Sequence, residues 1–293
     1  MPIRQETVGR VLVVSIDNTK VKNALDKAAI QDLRDVFENI AFRDPLPVSG
    51  DKNPDIGPDG QFRPHVIVLQ AMGDVFCSGA HLGEMKALGE ANYQENVAAA
   101  MDMGAMFRGV RNCPVPVVAR VQGPAYGGGV GLVAACDIVV AGPKARFAFS
   151  EVRLGLVPGV ISPLVIDRIG LAAARTYFLT GEPIEAEEAF GLGLVDRLAS
   201  GSEGPGGLDD VLVQTVDSLL KGGPGALSLC KNLIEGAQSL GFNRSAELTA
   251  RMIAEARTNP EAQAALAAFS ERSSAPWVQN EEWPGVPSGE GNE

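Results

Sequence analysis

The sequence predicts an α/β protein, with strands and helices alternating through residues 1–200 and helices alone through 208–272. Three observations predict it. Short apolar, β-branched runs recur along the first part of the chain and read as buried strands. The stretches between them carry apolar residues at helical spacing. The run GSEGPGG at 201–207 then breaks the alternation, and the chain beyond it is almost purely helical.

Val11–Ile16 reads as the first strand. A helix comes next over 26–40, with Ile30, Leu33, Phe37 and Ile40 on one face and Asp26 as its N-cap. Residues 44–64 are rich in Pro, Gly and Asp and read as a long surface insertion. Val66–Gln70 is a short buried strand that enters a glycine-bearing turn, VFCSGAHLGEM at 75–85. Tyr93, Val97, Met101, Gly104 and Phe107 keep a helical spacing. Val115–Val121 is the next strand, and it runs into three consecutive glycines, Gly127–Gly129, and a short apolar helix. Ile138–Ala141 and Arg146–Phe149 are further strands. Ser162-Pro163 opens a helix with a cap and an early proline. Leu194–Leu198 reads as the last strand, and Asn259-Pro260-Glu261 as a late helix start. The tail, 273–293, holds Trp277 and Trp283 and is either disordered or docked through them.

Composition narrows the function. A net charge of −11 argues against a nucleic-acid partner, whose phosphates demand a basic face. No apolar run is long enough to span a bilayer, so no membrane partner is expected. The first residues, MPIRQETVGR, lack the apolar segment of a secretory signal. Cys77, Cys113, Cys136 and Cys230 are widely spaced without a CxxC pair, which suits reduced thiols in the cytoplasm. With His65 and His81 as its only histidines, the chain offers no His-rich metal site.

The chemistry concentrates in two strand–glycine–helix turns and one carboxylate. Glycine lets backbone N–H groups approach a ligand closely, and a helix starting there adds unpaired donors and a positive dipole end. Such donors stabilise negative charge on an oxygen. Glu151 comes twenty residues after Gly131, at the end of a strand-like run. Donors plus one carboxylate point to proton movement beside a carbonyl. A rival reading takes Gly129–Ala134 as G-x-G-x-x-A with Glu151 as the ribose acid of a dinucleotide site. The helix after these glycines is short for a crossover, and that reading leaves the first turn unexplained.

These residues resemble the crotonase superfamily, the enoyl-CoA hydratases and isomerases. The matching segments come in order: VKNALD at 21–26, VFCSGAHLGEM at 75–85, PVPVVARVQGPAYGGGVGLVAACDIVVA at 114–141, FAFSEVRLGLVPG at 147–159 and LTGEPIEAEEAFGLGLVDRL at 179–198. The resemblance implies a spiral of ββα units with a C-terminal helical region that packs as a homotrimer or a hexamer of two trimers. It implies an acyl-CoA substrate, no cofactor beyond the CoA that the substrate carries, and no metal. The backbone N–H groups of Ala80 and Gly128 would hold the thioester oxygen, and Glu151 would be the acid/base. Lys22, Asn23, Ala24 and Leu25, with Ser78, Gly79 and His81, match segments that line CoA, and Lys20 joins Lys22 as a partner for its phosphates. Gly127 and Gly131 are further expected substrate-binding positions.

Two departures matter. Two-carboxylate hydratases carry a second Glu where this chain has Gly131, so hydration would rest on Glu151, another side chain or the substrate. Isomerases that move a 3-double bond to the 2 position also rely on one Glu. The SEVRLGLVPGVISP segment resembles a hydratase subgroup acting on branched, glutaconyl-type esters, and Gly131 there would leave room for a bulky acyl group. A protein that binds acyl-CoA without catalysis is the remaining alternative. His81 stands where the family has Asp. Histidine caps a helix poorly, so His81 is either a CoA contact, a pH-sensitive group or a plain loop residue. Glu84 and Asp102 are further acids whose position the sequence leaves open.

Overall fold

A computed structural model describes residues 2–41, 63–278 and 282–287. The strands are β1 (Ile3–Val8), β2 (Val11–Ile16), β3 (Val66–Ala71), β4 (Val117–Val121), β5 (Ala125–Tyr126), β6 (Ile138–Ala141), β7 (Arg146–Ala148), β8 (Ile184–Glu185) and β9 (Arg197–Leu198). The helices are α1 (Lys27–Ala41), α2 (Leu82–Glu90), α3 (Tyr93–Arg111), α4 (Gly128–Ala135), α5 (Ser162–Thr180), α6 (Ala186–Leu192), α7 (Leu208–Leu220), α8 (Pro224–Leu240), α9 (Ala246–Thr258) and α10 (Pro260–Ser270).

The main sheet runs β1-β2-β3-β4-β6-β9. β1 and β2 form an antiparallel hairpin, and every later pair is parallel. Parallel strands are covered on both faces, which is why they read as continuous apolar runs. Alternate side chains divide between two cores. Leu12, Val14, Ile16, Ile67, Leu69, Val117 and Ala119 face the larger core, with Leu33, Phe37, Phe107 and Leu132 from the helices. Val11, Val13, Val66, Val68, Val118 and Val140 face the smaller one, covered by Leu208, Leu212 and Val216 of α7 and by Trp283. A second sheet, β5-β7-β8, leads into α4 through β5 and carries the site.

Local chemistry explains several helix starts. The Asp26 carboxylate accepts from Ala29 N–H at 2.8 Å and caps α1. Asn92 and Glu95 form a reciprocal capping box on α3. Asn259 accepts from Glu261 N–H at 3.0 Å and caps α10. Glu261, only 4% exposed, in turn accepts from Gly225 and Ala226 N–H, both at 2.9 Å, so α10 carries the cap of α8. Lys231 of α8 pairs with Asp137, and Arg111 with Glu235, which ties α8 to the core. Trp277 Nε1 donates to Lys221 O, and Trp283 is buried against α7.

Several expectations are corrected. The first strand is β1, not β2. Its IRQETV sequence turns mostly outward at the sheet edge and so lacks an apolar signature. Ser162 does not cap α5: it lies inside the helix, Ile161 occupies the cap, and the Ser162 hydroxyl donates to Gly159 O at 2.9 Å. α5 is also broken at Gly170, whose φ of 72° and ψ of 167° are not helical. β4 and β9 are shorter than the runs 115–121 and 194–198. Of the 44–64 insertion, 44–62 lie outside the described residues, while Arg63 and Pro64 are buried ahead of β3.

Candidate active site

The two glycine turns meet. Gly79 has φ +91°, and a Cβ there would stand 2.9 Å from Tyr126 O and 3.8 Å from Gly128 N, so only glycine lets the turns touch. The first turn is built by pairing. Leu25 N–H donates to Gly79 O at 2.8 Å, and His81 N–H donates to Leu25 O at 2.9 Å, a one-residue parallel bridge opposite Ala80. In such a ladder the residue between points its own N–H the other way. The Ala80 N–H has no acceptor among the described residues. The second turn is built by glycine. Gly127 has φ 48° and ψ −117°, and its N–H donates to Ala148 O of β7 at 3.0 Å. Gly128 then opens α4, where the first N–H groups have no helical partner. All of α4 from Gly129 to Ala135 is buried, so the donor is fixed against the core.

Glu151 stands beside these donors. It lies in a 3-10 turn, Ser150–Leu154, that comes after β7 and ends at Gly155 in the left-handed region. A Cβ on Gly127 would be 3.0 Å from Glu151 Oε1. Oε2 is buried and accepts no hydrogen bond from the described residues. Burial raises the carboxyl pKa above its ordinary 4.5, opposed in part by the residue's own backbone N–H. A partly desolvated acid without a fixed partner can take and return a proton.

A cleft of about 620 Å³ joins these groups. Ser78, Gly79, Ala80, Gly127, Gly128 and Glu151 all lie on its wall. The rest is mostly apolar and comes from Leu82, Met85 and Leu88 of α2, Ala99, Ala100 and Met103 of α3, and the loop from Leu154 to Ile161. Asn96 also faces it, its amide nitrogen donating to Leu88 O and Asn92 O. The α3 wall escapes sequence reasoning because small apolar residues on a helix read as packing. The spacing of Asn96, Ala99, Ala100 and Met103 is the one signal that marks a shared face.

The remaining expected residues stand elsewhere. Lys20 and Lys22 are exposed on the turn ahead of the first glycine turn. Asn23 is 1% exposed with φ 55°, and its amide donates to Met72 O and Val75 O at 2.8 Å, so it shapes the turn. Ala24 and Leu25 are buried. His81 caps α2 after all: its Nδ1 accepts from Gly83 N–H at 3.2 Å. Glu84 and Asp102 do not line the cleft, and Asp102 reaches toward Arg34 instead. Gly131 leaves no room for an acyl group. It sits behind Ile161, whose Cγ2 would be 2.3 Å from a Cβ at 131. Burial pushes the Cys77 thiol in the first turn up to about 12, which makes it a poor nucleophile. Among the described residues no cluster of His, Cys, Asp or Glu could hold a metal ion. No helix there is long and apolar enough to cross a membrane.

Residues 59–280 match the family model described as enoyl-CoA hydratase/isomerase. The enoyl-CoA hydratase AKT6-1 of Alternaria alternata is 30% identical over 262 residues, which cover 88% of this chain and 78% of that protein. The short-chain-enoyl-CoA hydratase of Clostridium acetobutylicum is 26% identical over 269 residues, 91% of this chain and 94% of the relative. The crystal structure of an enoyl-CoA hydratase from Shewanella pealeana superposes with a TM-score of 0.83 at 28% identity, covering 94% of this chain and 96% of that one. The fold is of the crotonase type, with several C-terminal helices. The chain belongs to the enoyl-CoA hydratase/isomerase family within the crotonase superfamily.

Proposed function

We propose that the cleft binds an acyl-CoA thioester with its carbonyl oxygen between the N–H groups of Ala80 and Gly128, and that Glu151 moves the proton at the neighbouring carbon. One observation carries this: two unpartnered backbone donors on touching turns share a wall with a half-buried carboxyl whose Oε2 accepts no hydrogen bond from the described residues. As a 2-enoyl-CoA takes up water, Glu151 accepts a proton from the water while its oxygen bonds to C3. The electrons of the double bond pass to the thioester oxygen as an enolate. Glu151 then returns the proton to C2, and the product is a 3-hydroxyacyl-CoA. The enolate charge falls on the two donors, each worth about 2.7–4 kcal/mol by analogy with other oxyanion holes. Lys20 and Lys22 receive the CoA phosphates. The hydratase names of the relatives support water addition as the net reaction.

A second reading is isomerisation of a 3-enoyl to a 2-enoyl ester. It is favoured by Glu151 being the only ionisable side chain on the cleft wall among the described residues. One base taking a proton from C2 and delivering it to C4 suffices for that reaction. We also propose that the exposed apolar side chains of the C-terminal helices, Ile234, Ile253 and Phe269 among them, are covered by further copies in a trimer or hexamer.

Mass spectrometry of straight-chain and branched trans-2-enoyl-CoA esters, incubated with the protein and with Glu151→Gln, tests the reading. Gain of one water with the unmodified protein alone supports the hydratase. No water gain on any 2-enoyl ester, with 3-enoyl esters turned into their 2-enoyl isomers of equal mass as separated by chromatography, supports the isomerase. Binding with no exchange of the C2 proton in D2O leaves an acyl-CoA-binding protein.

A further inference from the structure

Gly131 faces a filled space. A Cβ there would stand 2.3 Å from Ile161 Cγ2 and 2.9 Å from Phe107 Cζ, closer than real side chains approach. Ile161 is 3% exposed and Phe107 1%. The three residues come from α4, the start of α5 and α3, so three helices meet where Gly131 has no side chain. Ile161 also lines the cleft, together with Val160 and Met103. One side of it therefore packs on Gly131 while another faces the apolar part of the cleft.

Ile161 is held firmly in that position. Its carbonyl accepts from Val165 N–H at 3.1 Å, the first turn of α5. Its β-branch restricts χ1, so the methyl against Gly131 is not free to swing away. A larger residue at 131 and isoleucine at 161 would need the same volume, and a packed core resolves such conflicts only by backbone shifts.

We propose that Ile161 is a specificity-determining residue: it sets the depth of the acyl end of the cleft, and its bulk and the bare α-carbon of Gly131 are two halves of one exchange of volume. The proposal rests on the acyl-CoA reading of the cleft. Trimming Ile161 opens the cleft toward Gly131 and Phe107, so longer or bulkier acyl groups gain contacts and short ones lose their end-stop. It also predicts that the penalty for a side chain at 131 depends on residue 161.

Two measurements test it. In the first, butyryl-, isovaleryl-, octanoyl-CoA and free CoA are titrated into the full-length protein and its Ile161→Ala and Ile161→Val variants by calorimetry. In Ile161→Ala the affinity ratio of octanoyl- to butyryl-CoA rises by about tenfold, the scale that a methylene or two commands in a closed apolar pocket. Ile161→Val, the milder change, moves the ratio in the same direction by less. An unchanged ratio in both folded variants overturns the proposal while leaving the acyl-CoA reading intact. Esters that bind unmodified protein no better than free CoA overturn both. The second measurement needs no ligand: thermal unfolding of Gly131→Ala, Ile161→Ala and the double variant. The Gly131→Ala penalty shrinks when residue 161 is alanine, whereas additive losses overturn the exchange of volume.

Discussion

The two walls of the cleft are made in opposite ways. On the donor wall, Ala80 is fixed by a backbone bridge to Leu25 and Gly128 by a helix that is buried from Gly129 to Ala135. On the acid wall, Glu151 sits in a short 3-10 turn whose neighbours Leu154 and Val157 are 62% and 78% exposed. Its Oε2 has no protein partner among the described residues. In the proposed reaction the donors must not reorganise when charge develops, which suits their over-determined backbone. The proposed acid must gain and lose a proton within each turnover, which suits a partly desolvated carboxyl with one oxygen uncommitted. Rigidity and lability lie side by side, and each wall should fail in its own manner.

The largest expected failure is on the acid wall. Glu151→Gln keeps the shape but cannot move a proton, and turnover should fall by about 10²–10⁴-fold with acyl-CoA affinity retained. Steady-state kinetics with a parallel binding titration reads this, and a loss under about tenfold would remove Glu151 from its role. The donor wall should fail structurally. Gly127→Ala puts a Cβ at φ 48° and 3.0 Å from Glu151 Oε1, and stability should drop by about 1–3 kcal/mol in chemical denaturation. Equal stability would mean that the second turn is looser than its geometry implies. His81→Ala removes the cap of α2 and should cost about 1 kcal/mol, with His81→Asn close to the unmodified protein. An α2 that ignores this change would separate the cap from the donor wall.

The smallest effect is on pH dependence. The folded protein holds the Glu151 proton more tightly than the unfolded chain does, since its pKa is raised. Stability from this group is therefore present at low pH and lost as pH rises from the ordinary 4.5 through the raised value. Glu151→Gln should flatten that segment of the stability-pH curve and gain slightly in melting temperature above it. A steeper curve in the variant would contradict the burial of the carboxyl.

Much of this is legible in the sequence. The parallel strands stand out because burial on both faces leaves unbroken valine and isoleucine runs. The two turns are legible because Gly79 and Gly127 adopt backbone angles at close quarters that favour glycine, while Ala80 and Gly128 as donors come from the family resemblance. The edge strand β1 is not, since it is exposed on both faces from Arg4 to Thr7 and so lacks an alternating apolar pattern. Gly131 misleads for a different reason. A missing side chain reads as space, but whether space remains depends on Ile161, far along the chain and in contact only in three dimensions. His81 misleads through residue preference: a weak capper still caps when its Nδ1 is in place.

The burial of Trp283 has a practical consequence. The only two tryptophans of the chain, Trp277 and Trp283, both lie beyond α10. Trp283 is sealed against α7, remote in sequence from every residue of the cleft. Intrinsic emission from this protein is thus a report on whether Trp277 and Trp283 are seated, and it can change on release of Trp283 from α7 while the cleft stays folded. A blue-shifted signal that moves before secondary structure melts would be the tail leaving, and a fluorescence titration with substrate would be silent unless binding reached that far.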